Sequence, residues 1–486
     1  MSKTIIIIGA GLAGLSAALQ AAENGCNVKL VSSLPSERAQ SVMAEGGINA
    51  ALNTKDENDS PEEHFTDTIK AACGLADPNA VWGMTQAAPE LVHWLLKLGV
   101  KFNMSGYDDV DLRNFGGQKK KRTAFAQSDT GKQIMTAMID AVRRKEASGM
   151  VERFSHHSFL TLRLCGNICC GCVIRDEYSQ ETVELPGDAV IVATGGMHGL
   201  FGNTTGSLSN TGEVTAELFR LGVPLSNGEM IQYHPTTVKC GGKRMLISEA
   251  ARGEGGRLFA MKDGKQWYFM EEKYPELGNL MPRDITAREI WKVSHESEVF
   301  LDMTEISEEI ISNKLSGLAD DCMTYLHKDI RKEPVSVLPG IHYFMGGILV
   351  DEQHRTPIQN LYAAGECCAQ YHGANRLGGN SLLGALYGGR VAAKSACEQA
   401  DVVDLSCATQ IDFPPASQIS EIKQLNKVMQ ETMGVVRNEN TLLNGIQTVQ
   451  ALTGNLPLLG MAVLKSALAR KESRGAHWRE DYPKSN

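Results

Sequence analysis

The chain has 486 residues, 42% of them hydrophobic, enough apolar material for about three domains at roughly 150 residues each. Its 57 acidic residues outnumber its 48 basic ones, and the net charge of −9 excludes a protein built around nucleic-acid phosphates or an anionic lipid surface, which need a basic face. Local basic patches stay open. In chain order, TIIII (4–8) is predicted as a buried parallel strand, followed by a GxGxxG turn of Gly9, Ala10, Gly11, Ala13 and Gly14, a helix over LSAALQAAENG and a second strand, NVKLVSS. Residues 4–22 carry no charge, but three glycines interrupt them, which argues against a membrane span. Such a turn lets a dinucleotide pyrophosphate approach the helix N-terminus, where unpaired N–H groups and the dipole favour anions. No acid closes the second strand. Ser32 and Ser33 stand there, able to accept a ribose hydrogen bond more weakly than a carboxylate.

Further along, LTLRLCGNICCGCVIRDE (160–177) alternates around Gly166-Asn167 as a hairpin, and it lacks the second ligand pair of a zinc or iron–sulfur site. No metal is expected. With no signal peptide ahead of them, the twelve cysteines are read as reduced thiols of a cytoplasmic protein. DAVIVATGG (188–196) and NLYAAGE (360–366) read as further strands ending in glycine, a pattern too large for a simple NAD domain, so FAD outranks NAD. After about residue 420, Ile422, Leu425, Met429 and Met433, then Leu442, Leu443, Ile446 and Val449, recur at helical spacing and predict a small helical bundle.

The segments ERAQSVMAEGGINAAL (37–52), FGGQKKKRTAFAQSDTG (115–131), QYHPTT (232–237), SEAARGEGG (248–256), MPRDITAR (281–288), HYFMGGI (342–348), GANRLGGNSLLGAL (373–386) and ESRGAHWREDYP (472–483) together resemble the fumarate reductase/succinate dehydrogenase flavoprotein family, with L-aspartate oxidase as a close relative. The resemblance runs end to end. It implies an α/β fold: a Rossmann-like FAD-binding domain (1–226 and 346–420) interrupted by an α+β capping domain (227–345) and followed by a C-terminal helical domain (421–486).

It also implies the chemistry. A C4 dicarboxylate needs fixed donors at both ends: Arg376 and His342 for one carboxylate, His234 and Ser248 for the other. Either histidine alone would read as a hydrogen-bonded core residue. Fumarate reduction takes a hydride from flavin N5 and a proton, for which the matching donor is Arg283, refilled through Glu249 and Arg252. Without the neighbouring motifs, Arg283 beside Pro282 would read as a salt-bridging helix start. FAD contacts carry over to Ser41, Ala44, Gly46, Gly47, Asp129, Ala193, Thr194, Gly195, Gly365, Glu366, Asn380, Ser381 and Leu382, and to Glu213, where relatives have aspartate.

Three departures sort the members. Phe115 stands where L-aspartate oxidases place a glutamate ahead of two glycines, and an aromatic ring suits the flat middle of fumarate and offers nothing to an ammonium. Gln40 stands where a histidine joins FAD covalently in relatives, so the flavin is expected to be noncovalent and biased toward fumarate reduction. The chain also ends shortly after ESRGAH, where large membrane-complex subunits continue for roughly another hundred residues by family comparison. The KKKR run at 119–122 reads as a solvated face, with steering of a dianion as the other option. The expectation is a cytoplasmic FAD enzyme of electron transport and anaerobic respiration. It would reduce fumarate to succinate with electrons from an unidentified iron–sulfur protein, reduced flavin or other reductase. Alternatives are an L-aspartate oxidase, a flavoprotein subunit dependent on a larger complex, and a nonenzymatic FAD-holding relative.

Overall fold

In the computed structural model, which describes residues 2–106, 109–402, 411, 413 and 418–484, TIIII lies at the centre of a five-stranded parallel sheet. Across that sheet the strands run Leu361–Ala363, Ala189–Val192, Thr4–Ile8, Asn27–Ser32 and Val151–Ser155. Ile5 and Ile7 enter one apolar cluster, with the helices Leu12–Glu23 and Asn380–Gln399, while Ile6 and Ile8 enter another, with Leu162, Cys169 and Cys172. Burial on both faces is why the strand shows no polar alternation. The two helices touch backbone to backbone: a Cβ on Gly389 would fall 2.3 Å from the Ala13 carbonyl oxygen.

The cysteine-rich segment forms the expected hairpin, His157–Cys165 with Ile168–Asp176, turning at Gly166 (φ +60°). Among the described residues no group of acids, histidines and cysteines fits a metal ion. Among the described residues ten cysteines are free thiols, but Cys165 is disulfide-bonded, which corrects the expectation of twelve reduced thiols. No helix among the described residues is long and apolar enough to cross a membrane.

The interrupting segment is built on two antiparallel sheets. One joins Ile231–Cys240 to Lys243–Leu246 and Leu338–Phe344; the other orders Lys265–Trp267, Arg257–Lys262, Val299–Asp302 and Val335–Ser336. Pro235 lacks an N–H for the ladder, and the register shifts between His234 and Thr237, a bulge at the residues that matter most here. The core of this unit (Ile247, Ala250, Ala251, Leu258, Leu301) also receives Phe115 from the other side of the chain.

Three helices, Ile419–Thr432, Glu439–Val449 and Asn455–Ala469, follow. Leu425, Met429, Met433, Leu442 and Val449 are buried as predicted, whereas Leu443 is 47% exposed, one residue off the apolar stripe. Residues 403–410, 412 and 414–417 lie outside the described residues, and the boundary expected at 420 falls in the first turn of the helix Ile419–Thr432.

Candidate active site

The glycine turn makes the cradle. Gly9 has φ +111°, and a Cβ there would sit 2.3 Å from the Ala193 oxygen; one on Gly14 would sit 1.8 Å from the Gly9 oxygen. Ala10, Gly11 and Ala13 complete a bare backbone surface at the start of Leu12–Glu23, where the first-turn amides after Leu12 have no intrahelical acceptor and suit an anion. Gly14→Ala is therefore expected to give a chain without bound dinucleotide, checked by the visible absorbance of the purified protein. At the end of the second strand, Ser32 has a buried hydroxyl with no hydrogen-bond partner among the described residues, whereas Ser33 is exposed. Of the two serines, Ser32 is the one whose unmet hydrogen bond fits a ribose.

Around this turn gather the loop 40–47 and the strand-end glycines. The Ser41 hydroxyl accepts from the Leu12 N–H at 3.2 Å, and the Gly131 N–H donates to the Ala44 oxygen at 2.7 Å, so the loop is pinned to two helix starts. Gly47 (φ +133°) and Gly46 leave no room for side chains: a Cβ on Gly46 would lie 2.9 Å from the Phe115 ring. Gly195 (φ +73°), after Ala193 and Thr194, and Gly365 (φ +78°) turn the ends of their strands. Glu366 accepts the Phe344 N–H at 3.0 Å. Gln40 accepts the Ser207 N–H at 2.6 Å.

Some residues sit otherwise than expected. The Asn380 side chain is fully buried and committed to Asn49 (2.7 Å), His64 (2.9 Å) and Thr68 (3.0 Å), so it fixes the helix start, leaving Ser381 and Leu382 as the nearer candidates for the cofactor. Glu213 is exposed on the first turn of its helix, with Arg175 as its opposite charge, because Gly212 redirects the chain there. Asp129 begins the helix Thr130–Ala147 without a side-chain capping bond. In the KKKR run Arg122 is not solvated: it is fully buried between Asp59 (2.8 Å) and Asp67 (2.9 Å). Lys120 pairs with Glu63, so acids absorb much of that charge locally.

The expected substrate residues converge. Glu249 and Arg252 share one face of the short helix Glu249–Gly253, capped by Ser248, whose hydroxyl accepts the Ala250 N–H. Glu249 Oε2 accepts from Arg283 Nη2 (2.6 Å) and Nε (2.9 Å), while its Oε1 accepts from Arg252 (3.2 Å) and the Gly116 N–H (3.1 Å). Burial alone would raise the Glu249 pKa; the two guanidiniums and these hydrogen bonds outweigh it and hold the carboxylate ionised. Arg283 is held on its other edge by Gln232 Oε1 at 3.0 Å.

Across the space, Arg376 lies 4.4 Å above the Tyr343 ring, and its Nε is buried with no hydrogen-bond partner among the described residues. Burial, then repulsion from Arg283, draws its pKa down to about 9, a cation in need of an anion. His234 and His342 meet edge to face with ring centroids 5.2 Å apart. Burial first, then Arg283, hold both imidazoles well below their ordinary pKa and so neutral at pH 7, able to donate a hydrogen bond from one nitrogen. His342 is oriented by the Thr205 hydroxyl at 2.7 Å. The Phe115 ring lies over Gly46 and Gly378 beside Glu249.

Gln232 is a functional residue that motif reading missed. It shares the inward face of its strand with His234, two residues on, and it ties Arg283 to the Arg376 loop by donating to the Arg376 oxygen at 2.7 Å. Glu45 is another. It is drawn toward Ser248, and burial, with Asp321 and Asp129 nearby, raises its pKa to about 8, so it is protonated at neutral pH; nothing in the motif AEGG signals that.

Comparison with known proteins agrees with this geometry. An FAD binding domain family matches residues 4–382, and the family described as fumarate reductase flavoprotein C-term matches residues 453–486. The chain is 38% identical to the succinate dehydrogenase flavoprotein subunit of Bacillus subtilis, covering 100% of this chain and 92% of that one. It is 33% identical to an L-aspartate oxidase of Pyrococcus furiosus, covering 99% and 96%. A solved structure of E. coli quinol fumarate reductase superposes with a TM-score of 0.88 at 27% identity, covering 100% of this chain and 92% of that chain.

Proposed function

Because the chain belongs to the FAD-dependent fumarate reductase/succinate dehydrogenase flavoprotein family, which includes L-aspartate oxidase, we propose that it reduces fumarate to succinate. One observation carries this reading. Arg252, Arg283 and Arg376 are buried together with a single contacting carboxylate, Glu249, among the described residues, and Arg376 Nε lacks a partner. Three buried cations outnumber the carboxylates that act on them, Glu249 and Glu366, and this positive excess suits a dicarboxylate. The uncharged Phe115 ring beside them favours a flat alkene over an ammonium.

In this reading Arg376 and His342 grip one carboxylate, and His234 and Ser248 the other. The alkene then lies between Phe115 and the cradle. FAD, when bound and reduced, supplies the hydride to one alkene carbon. Arg283 gives the proton to the other. A guanidinium is a very poor acid, so the transfer succeeds only as negative charge develops on that carbon, and Glu249, in contact with both arginines, passes a proton from Arg252 to refill it. Gln232 keeps the Arg283 fork turned toward the site.

The catalytic side chains other than Arg376 and Phe115 fall within 227–345. The chain thus divides into an FAD-binding part (1–226 and 346–420), a cap and a helical part (421–486), with substrate held between the first two. The electron donor is an iron–sulfur protein, reduced flavin or another reductase, and a cytoplasmic site of action fits the ten free thiols among the described residues better than it fits the bonded Cys165.

Anaerobic assay of the purified chain with a reduced viologen dye should show turnover of fumarate; hydrogen peroxide release from L-aspartate in air, without fumarate turnover, would overturn the reading in favour of the oxidase. Gln40 hydrogen-bonds a backbone amide and has no chemistry for a flavin bond. Acid precipitation is expected to leave all yellow colour in the supernatant; colour in the pellet contradicts noncovalent binding.

A further inference from the structure

The C-terminal segment after the last helix touches the loop that carries Arg376 and the helix that carries Arg283, and nothing in the reaction above uses it. The Ala476 N–H donates to the Ala374 oxygen at 2.8 Å, two residues before Arg376. Gly475 adopts φ +53° there, and a Cβ on it would fall 2.5 Å from the same oxygen. Behind that loop, the Ala374 N–H donates to the Ala72 oxygen, and Arg474 reaches the neighbouring Cys73 oxygen at 2.8 Å. Ala476, Ala374 and Tyr343, the ring beneath Arg376, share one apolar cluster.

Two residues on, the Trp478 ring lies 4.1 Å from the Arg288 guanidinium carbon. Arg288 belongs to the helix Arg283–Val293, which buries Arg283 toward the site and turns Asp284 and Arg288, four apart, toward the tail. The third anchor is Arg437, which is fully buried and donates to His477 Nδ1 (2.9 Å) and to the Glu229 oxygen (2.8 Å), three residues before Gln232.

We propose that residues 474–478 are a positioning strap that sets the separation between Arg376 and Arg283, with Trp478 as the residue that holds the Arg283 helix. This rests on the fumarate reading for the roles of the two arginines, but the mechanical part does not. A cation–π contact in a partly buried setting is worth about fivefold to thirtyfold in an equilibrium, enough to bias two positions of the helix. The strap touches neither substrate nor cofactor, so its effect is felt through the spacing of the two cations.

Hydrogen exchange on the flavin-loaded chain tests the strap without any substrate. Trp478→Ala should speed exchange about tenfold both at the start of the Arg283 helix and at 373–378, and Trp478→Phe, which keeps a ring for Arg288, should restore it; unchanged exchange at either element overturns the proposal. Should Trp478→Ala not fold, Arg288→Met, which keeps an apolar stem and removes the charge, must give the same pattern.

Kinetics then test the coupling. With flavin content intact, Trp478→Ala should raise KM for fumarate and succinate Kd about tenfold, with Trp478→Phe within about twofold of wild type. A fall in kcat with unchanged KM and Kd overturns the spacing role. If the wild-type chain turns over L-aspartate and not fumarate, the same split applies to that substrate, and only the functional reading above is lost.

Discussion

Replacing Arg283 by alanine is expected to remove fumarate reduction to the limit of detection, a loss of at least about 10⁴-fold in kcat, at the upper end of what a general acid contributes, while the protein stays yellow. The expectation follows from the contacts. Arg283 gives both Nε and Nη2 to one oxygen of Glu249 and Nη1 to Gln232, so the fork is aimed and paired before substrate arrives. Its removal leaves Glu249 still neutralised by Arg252 and the Gly116 N–H, so the pocket should not collapse. Arg283→Lys is not a rescue: an ammonium cannot span Glu249 and Gln232 in one plane. Anaerobic turnover together with flavin absorbance decides the matter, and retained turnover in Arg283→Ala would remove the assigned role.

Arg376→Ala should behave differently. Its Nε has no protein partner among the described residues, so the cation is held in place for a ligand by the Tyr343 ring and by its own loop. A bidentate, charge-assisted pair is worth about 1.5–3 kcal/mol, and one carboxylate left ungripped in a dry pocket costs more, so succinate Kd and fumarate KM should rise at least about a hundredfold. The hydride and proton geometry also loosens, so kcat falls too, by a smaller factor. Flavin absorbance titrated with succinate measures the first effect independently of turnover; an unchanged Kd would dismiss the carboxylate grip.

What could be read from the chain beforehand depended on whether a residue acts through its own neighbours in sequence. The Gly9–Gly14 turn was legible because a strand, three glycines and a helix are adjacent, and the close approach of Gly14 to the Gly9 oxygen needs only short-range geometry. Glu249 and Arg252 were legible for the same reason, three apart on one helical turn. Gln232 was hidden because its function lies in bridging residues 51 and 144 positions away, and only the fold brings those together. The structural bonds of Asn380 were not legible, because Asn49, His64 and Thr68, which pair with its side chain, lie more than three hundred residues upstream. Arg122 looked solvated inside a basic run because Asp59 and Asp67 lie more than fifty residues upstream.

Phe115 is part of the same apolar cluster as Ile247, Ala250, Ala251 and Leu301, and it is 1% exposed. In the proposed reading its ring favours fumarate over an amino acid, and in the fold it fills the hydrophobic interior. An acid placed there to receive an amino group would lie beside Glu249 and its arginines and leave a void among Ile247, Ala250 and Leu301. A substitution that retunes the site at this position therefore also disturbs the packing of Ile247 and Leu301, so selectivity and stability are coupled through one side chain.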